Sequence, residues 1–269
     1  MRPSLVSSGP GRVLAFGTPS GHKACTVAES ARADIIGVVS NRAMNKRFFI
    51  GMTMAGYRES CKRAVLAAAL LLAAAAGQAE ELFNGRDFQG WDLLAGKDMP
   101  PEGAFTMLAG GVIASTGQPS GFLATLASYR NYRLHVEWRW PGKPGNGGVL
   151  LHISPGPMDR VWPLSLQVQT KHGSAGDLLP MAGYAFAEPP TSAPGAQPVI
   201  KAHTAPDSEL PAGEWNSADI VSRDGVVEVS VNGVPQNRIS HGKPDQGRIG
   251  FQLEGAPYEL RNVRLEKLD

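Results

Sequence analysis

Two dipeptides constrain this chain more than anything else in it. Asp224-Gly225 and Asn232-Gly233 are the residue pairs that a two-residue hairpin selects, because both central positions need positive φ. Between them Val227, Val229 and Val231 alternate with Glu228 and Ser230. A strand that short, reversed at both ends, cannot feed a helical crossover, so the segment must be an antiparallel meander. The same grammar recurs upstream. Across 132–140, Leu134, Val136, Trp138 and Trp140 alternate with Arg133, His135, Glu137 and Arg139, which reads as a strand with one core face and one solvated face. Residues 105–108 and 112–114 flank a Gly110-Gly111 turn. Val149, Leu151 and Ile153 alternate with Leu150 and His152, and Ile249, Phe251 and Leu253 alternate with Arg248, Gly250, Gln252 and Glu254.

Many short strands with turn residues between them and no helical crossovers predict an all-β sandwich or jelly roll of two antiparallel sheets. Composition agrees: 32 glycines and 21 prolines make up about a fifth of the 269 residues, against a usual ~12%. The formal net charge of +2 is too balanced for a nucleic-acid-binding surface. Phosphate-loop, dinucleotide, zinc-protease and serine-hydrolase motifs are all missing from the sequence.

The first quarter reads differently. Arg58, Lys62 and Arg63 precede an uncharged apolar run of 13 residues at 64–76, with Gly77 and Ala79 at the small-residue positions of a cleavage point before Glu80. That is the layout of a secretory signal peptide over 54–79. The run is too short for a spanning helix, which needs ~20 apolar residues, so no stable membrane insertion is expected after cleavage. Residues 1–53 show no sustained period and read as a non-native or disordered leader, with Met54 or Met52 as the true start. The strand-like stretch 34–42 lies inside this leader, with no partner evident nearby. The expected folded unit is 80–269, periplasmic or secreted. Cys25 and Cys61 both precede it and say little about its compartment.

Chemistry concentrates at 162–179. Leu164, Leu166, Val168 and Thr170 point one way, and Ser165, Gln167, Gln169 and Lys171 the other. The strand then runs into a Gly-rich turn carrying His172 and Asp177. If strands pair in the simplest order, Gln167, Gln169, Gln252 and Glu254 share one face. Amides suit sugar hydroxyls but cannot act as acid or base. No carboxylate array of the kind ordinary glycoside hydrolysis requires is present on any strand. The acid–base groups available are His152, His172, Asp177 and Glu254. A histidine with a carboxylate can supply a general base, and these are also donor types that a divalent metal takes. The long Pro- and Ala-rich segment 180–211 reads either as a lid over this site or as a surface excursion.

Six stretches, in order, resemble one family. They are L-F-N-G-R-D-F-Q-G-W at 82–91, G-N-G-G-V-L-L-H at 145–152, the block 164–177 ending in G-S-A-G-D, G-E-W-N at 213–216, V-N-G-V at 231–234, and G-R-I-G-F-Q-L-E-G with L-R-N-V-R-L across 247–265. Together they are similar to the 3-keto-disaccharide hydrolases. The family commonly carries Glu, Arg and Ser where this chain has Gln167, His152 and Gly147. The resemblance implies a concanavalin-like jelly roll, export, and a substrate glycoside already oxidised at C3. It implies cleavage by C2 proton abstraction, elimination and hydration. In that scheme His172 is the expected base, with Asp177 orienting it and Glu254 as a further catalytic carboxylate. His152, Trp162, Gln167, Gln169, Lys171 and Gln252 are expected to bind the oligosaccharide or glycoside. A divalent metal is an option for such a site and no other cofactor is expected. A non-catalytic carbohydrate-binding module is the alternative reading.

Overall fold

The computed structural model describes residues 37–39, 48–50, 79–95 and 100–269. The expected leader and signal peptide lie outside the described residues, apart from the backbone of two short strands and Ala79. Those strands, β1 (Gly37–Val39) and β2 (Phe48–Ile50), pair antiparallel with each other, so the strand-like stretch at 34–42 does have a partner. Among the described residues no helix is long and apolar enough to cross a membrane.

The remainder is a two-layer β-sandwich. Its first half contains β3 (Glu80–Glu81), β4 (Trp91–Ala95), β5 (Phe105–Met107), β6 (Ile113–Ser115), β7 (Gly121–Thr125), β8 (Tyr132–Arg139) and β9 (Gly148–Asp159). Its second half contains β10 (Trp162–Gln169), β11 (Leu178–Met181), β12 (Asn216–Arg223), β13 (Val226–Val231), β14 (Val234–Ile239), β15 (Arg248–Leu253) and β16 (Tyr258–Lys267). One sheet runs β14-β13-β12-β8-β16-β6-β5, with β3 added on β16, and the other runs β11-β10-β9-β15-β7-β4. All named strand pairings are antiparallel. Strands distant in sequence, such as β9 and β15, come together across long connections, as a jelly roll requires.

The two hairpin dipeptides form as expected. Asp224 and Gly225 have φ of 48° and 78°, and Asn232 and Gly233 of 49° and 77°. They align β12, β13 and β14 so that Ile220, Val227, Val229 and Val231 all enter the core. Leu134, Val136 and Trp138 of β8 pack onto Leu151, Leu166, Val168, Phe251 and Leu253 of the facing sheet. Each such side chain contributes about 1.5–3 kcal/mol on burial. The outward row of β8 is cross-linked rather than merely solvated. His135 Nδ1 lies 2.8 Å from Asp219 Oδ1, Arg139 donates to Glu259 and Arg261 to Glu137. The guanidinium carbons of Arg139 and Arg261 sit 4.6 and 4.1 Å from the ring centroid of Trp215.

One strand departs from simple alternation. At His152 the φ is +57°, and the β9–β15 register shifts beside it. This irregularity reverses the parity of β9. Leu151 and His152 both face the core, while Leu150 and Ile153 lie together on the other face with Phe122 and Ala124.

Candidate functional site

The outer face of the six-stranded sheet carries the site. On β10 Leu166 and Val168 are anchored in the core with no exposure, so Gln167 and Gln169 are directed to the opposite face. Gln167 is level with Leu150 of β9, and Leu150 with Gly250 of β15. Gln167 therefore has to cross β9 to reach Gln252, and Gly148 lets it. A Cβ at Gly148 would lie 2.7 Å from Gln167 Nε2 and 2.8 Å from its Cγ, closer than side chains tolerate.

Across that gap runs a chain of hydrogen bonds. Gln167 Nε2 donates to Gln169 Oε1 and, at 2.9 Å, to Gln252 Oε1. Gln252 Nε2 donates to Glu254 Oε2 at 2.6 Å, and Asn146 Nδ2 donates to the same oxygen at 2.6 Å. The Oδ1 of Asn146 accepts the Gly147 N–H at 3.0 Å. Burial raises the Glu254 carboxyl above the usual range, against the pull of Arg160, Lys171 and Asn146. Gln167 Oε1 is buried with no hydrogen-bond partner among the described residues.

These groups form the floor of a cleft of about 650 Å³, within the range of small-molecule sites. The tip of the β9–β10 hairpin, with Asp159, Arg160 and Trp162, makes one wall. Residues 179–184 and 197–200 also line it, and Lys171, Ser174 and Asp177 complete it. The segment 180–211 is therefore part of the site rather than an excursion. It is tied down by reciprocal Leu178–Lys201 bonds of 2.9 and 2.8 Å and by Thr204 N–H to Gln236 O at 2.8 Å. Trp162, Gln167, Gln169, Lys171, Asp177, Gln252 and Glu254 all line this one cleft.

The two histidines do not, and each has a physical reason. His152 is fully buried: its Nδ1 lies 3.0 Å from the Tyr184 hydroxyl and its Nε2 2.9 Å from Ser222 Oγ. The irregularity in β9 turned it inward, so alternation assigned it to the wrong face, and burial pushes its pKa down to about 4. His172, the expected base, sits on a tight turn closed by Ser174 N–H to Lys171 O. The turn sends its Nδ1 to Glu209 Oε2 at 2.9 Å, with the imidazole 59% exposed. Glu209 is fully covered and also accepts the Trp140 Nε1–H at 3.0 Å and the Gly173 N–H at 2.9 Å. It is an anchor for the 180–211 segment. Asp177 does not orient His172 but pairs with His203, whose backbone N–H and Nδ1 lie 2.7 and 2.6 Å from Asp177 Oδ1.

Among the described residues no three His, Cys, Asp or Glu side chains gather to hold a metal ion. The floor offers one carboxylate among amides, which does not fit the usual donor set of a transition-metal site. Asn146, Arg160, Tyr184 and Glu209 went unnoticed in the sequence. Only Asn146 carried a signal, as a polar residue inside the Gly-rich loop 141–148.

An antiparallel jelly roll with an amide-rich, sugar-sized cleft on one sheet defines a concanavalin-like carbohydrate-associated protein. More particularly, the chain belongs to the family described as the 3-keto-alpha-glucoside-1,2-lyase-like domain, which it matches over residues 78–266. Two solved structures share the fold. One is a candidate glycosyl hydrolase from Parabacteroides distasonis, at 24% identity and TM-score 0.52, covering 72% of this chain and 94% of that one. The other comes from work on endo-acting O-glycanases of the human gut microbiota, at 13% identity and TM-score 0.50, covering 72% of this chain and 100% of that one. No curated protein matches the chain.

Proposed function

We propose that this protein is an exported enzyme that cleaves 3-keto-glycosides by elimination and hydration, with Glu254 as the base. The observation that carries this reading is a half-buried carboxylate, raised in pKa by burial, on a cleft floor where its hydrogen-bonded neighbours are all amides. A ketone at C3 acidifies the hydrogen on C2. Glu254 takes that proton, electron density moves toward the C3 oxygen, and the bond from C1 to the departing oxygen breaks. The proton now on Glu254 is available to the leaving alkoxide. Water then adds at C1 and a proton returns to C2, giving a 3-keto sugar. One base suffices, and a raised pKa makes a carboxylate a stronger base. Arg160 and Lys171 are the cations near Glu254 that can steady the enolate oxygen. Gln167, Gln169 and Gln252 would hold hydroxyls, and Trp162 is available to a sugar ring.

The amides outnumber proton-transfer groups on the floor, and this favours the second reading, a carbohydrate-binding module. One experiment separates the two. The full chain is incubated with a 3-keto-disaccharide, and the released sugar and 3-keto-hexose are measured. Turnover that falls by about 10²–10⁴-fold in Glu254→Gln, with glycan affinity kept, supports the enzyme. Glycan binding without turnover in the parent protein overturns it in favour of the module. Export rests on the segment 54–79. Amino-terminal sequencing of the exported protein is expected to begin at Glu80, and a mature terminus well before it would refute cleavage there.

A further inference from the structure

The amide chain on the cleft floor has a direction, and that direction ends on Glu254. Each of the two amides that donate to Glu254 is itself held from behind. The carbonyl oxygen of Asn146 is taken by the Gly147 N–H, so its NH₂ must face Glu254. The carbonyl oxygen of Gln252 is taken by Gln167 Nε2, so the Gln252 NH₂ must also face Glu254. Reversing Gln167 would set its carbonyl against two other carbonyls, those of Gln169 and Gln252. Reversing the whole row would point the Gln252 carbonyl at Glu254, which only a protonated carboxyl could answer. The observed direction leaves Gln167 Oε1 buried and without a partner. A row of neutral amides with nothing charged at its end has no reason to prefer this direction over its reverse. The ionised carboxylate at the far end supplies the reason.

We propose that Gln167 is a positioning residue that acts through Gln252 to hold Glu254 in its ionised form, and that the amide row Gln169–Gln167–Gln252 reverses when Glu254 takes a proton. The inference rests on the reading of Glu254 as the base, but it concerns ionisation and can be measured without turnover. The charged groups facing Glu254 are Arg160 on the β9–β10 hairpin and Lys171 after β10. Asp159, Asp177 and Tyr184 are the other titratable groups lining the cleft. None of them belongs to the amide row, so changes within the row leave them in place.

The test is a carbon-13 NMR titration of Glu254 in the full chain, with its carboxyl signal assigned by its loss in Glu254→Gln. Gln167→Met has no donor or acceptor of comparable strength and similar length. It is expected to raise the midpoint by on the order of one pH unit, because a donor to the ionised form is set free. Gln252→Met is expected to do the same directly. The double variant is expected to shift no further than Gln252→Met alone, since Gln167 acts only through Gln252. An unchanged midpoint in Gln167→Met overturns the proposal, and so does a Gln167→Met shift that persists undiminished on the Gln252→Met background. If one variant fails to fold, the other with the parent protein still decides whether the row acts on Glu254. Loss of turnover in Glu254→Gln together with unshifted midpoints would keep the base and reject the relay. Shifted midpoints in a protein without turnover would keep the relay and reject the enzyme.

Discussion

Acid should loosen this protein through one buried imidazole. His152 has no exposure and is packed between Tyr132 and Tyr184, at ring-centroid distances of 6.1 and 6.0 Å. Burial depresses its pKa from 6.5 to about 4. As pH falls, the unfolded chain therefore binds this proton before the folded one does. The stability linked to His152 is complete above about pH 6.5 and is lost as pH falls toward 4. At about 1.4 kcal/mol per unit, the loss is about 2 kcal/mol at pH 5 and about 3.4 kcal/mol below pH 4. Against a typical total of 5–15 kcal/mol this is readily measured. Urea unfolding followed by tryptophan fluorescence at pH 7.5 and pH 5 gives the stability at each. His152→Gln keeps a donor and an acceptor for Tyr184 and Ser222 but does not titrate. The parent protein is expected to lose about 2 kcal/mol more than this variant between the two values. An equal loss in both would refute the assignment of acid sensitivity to His152.

Three further outcomes follow from the same geometry. Glu254 has a raised folded-state pKa, so its linked stability is present below the ordinary carboxylate range and lost as pH rises through the folded value. Glu254→Gln should therefore melt higher than the parent at pH 7, with the difference vanishing near pH 3. Glu209→Ala should cost about 1–3 kcal/mol by leaving the buried Trp140 indole N–H without an acceptor, and limited proteolysis should then cut within 180–211. Gly148→Ala forces a Cβ to within 2.7 Å of Gln167. It should destabilise the fold by about 1–3 kcal/mol and weaken glycan binding in calorimetry, whereas unchanged affinity would show that Gln167 need not cross β9.

The class of fold was legible in the sequence because strand alternation and hairpin chemistry are local. Asp224-Gly225, Asn232-Gly233 and the alternation of 132–140 are each complete within a few residues. Their expected consequences appear in β8 and in β12 to β14. The polar row of the site was legible for the same reason. Leu166 and Val168 bury, so Gln167 and Gln169 face the other way, and the same logic on β15 directs Gln252 and Glu254. The two histidines were misread because their positions are set by non-local contacts. A one-residue irregularity at His152, matched to a register shift against β15, exchanges the faces of β9. His172 is drawn aside by Glu209, a residue 37 positions away that is held in turn by Trp140. Periodicity carries no trace of either event. What the sequence alone determined is which residues lie on which side of most strands. Only the tertiary structure decided that Gln167 bonds to Gln252, 85 positions along the chain, because that contact depends on strand order, register and the missing side chain of Gly148.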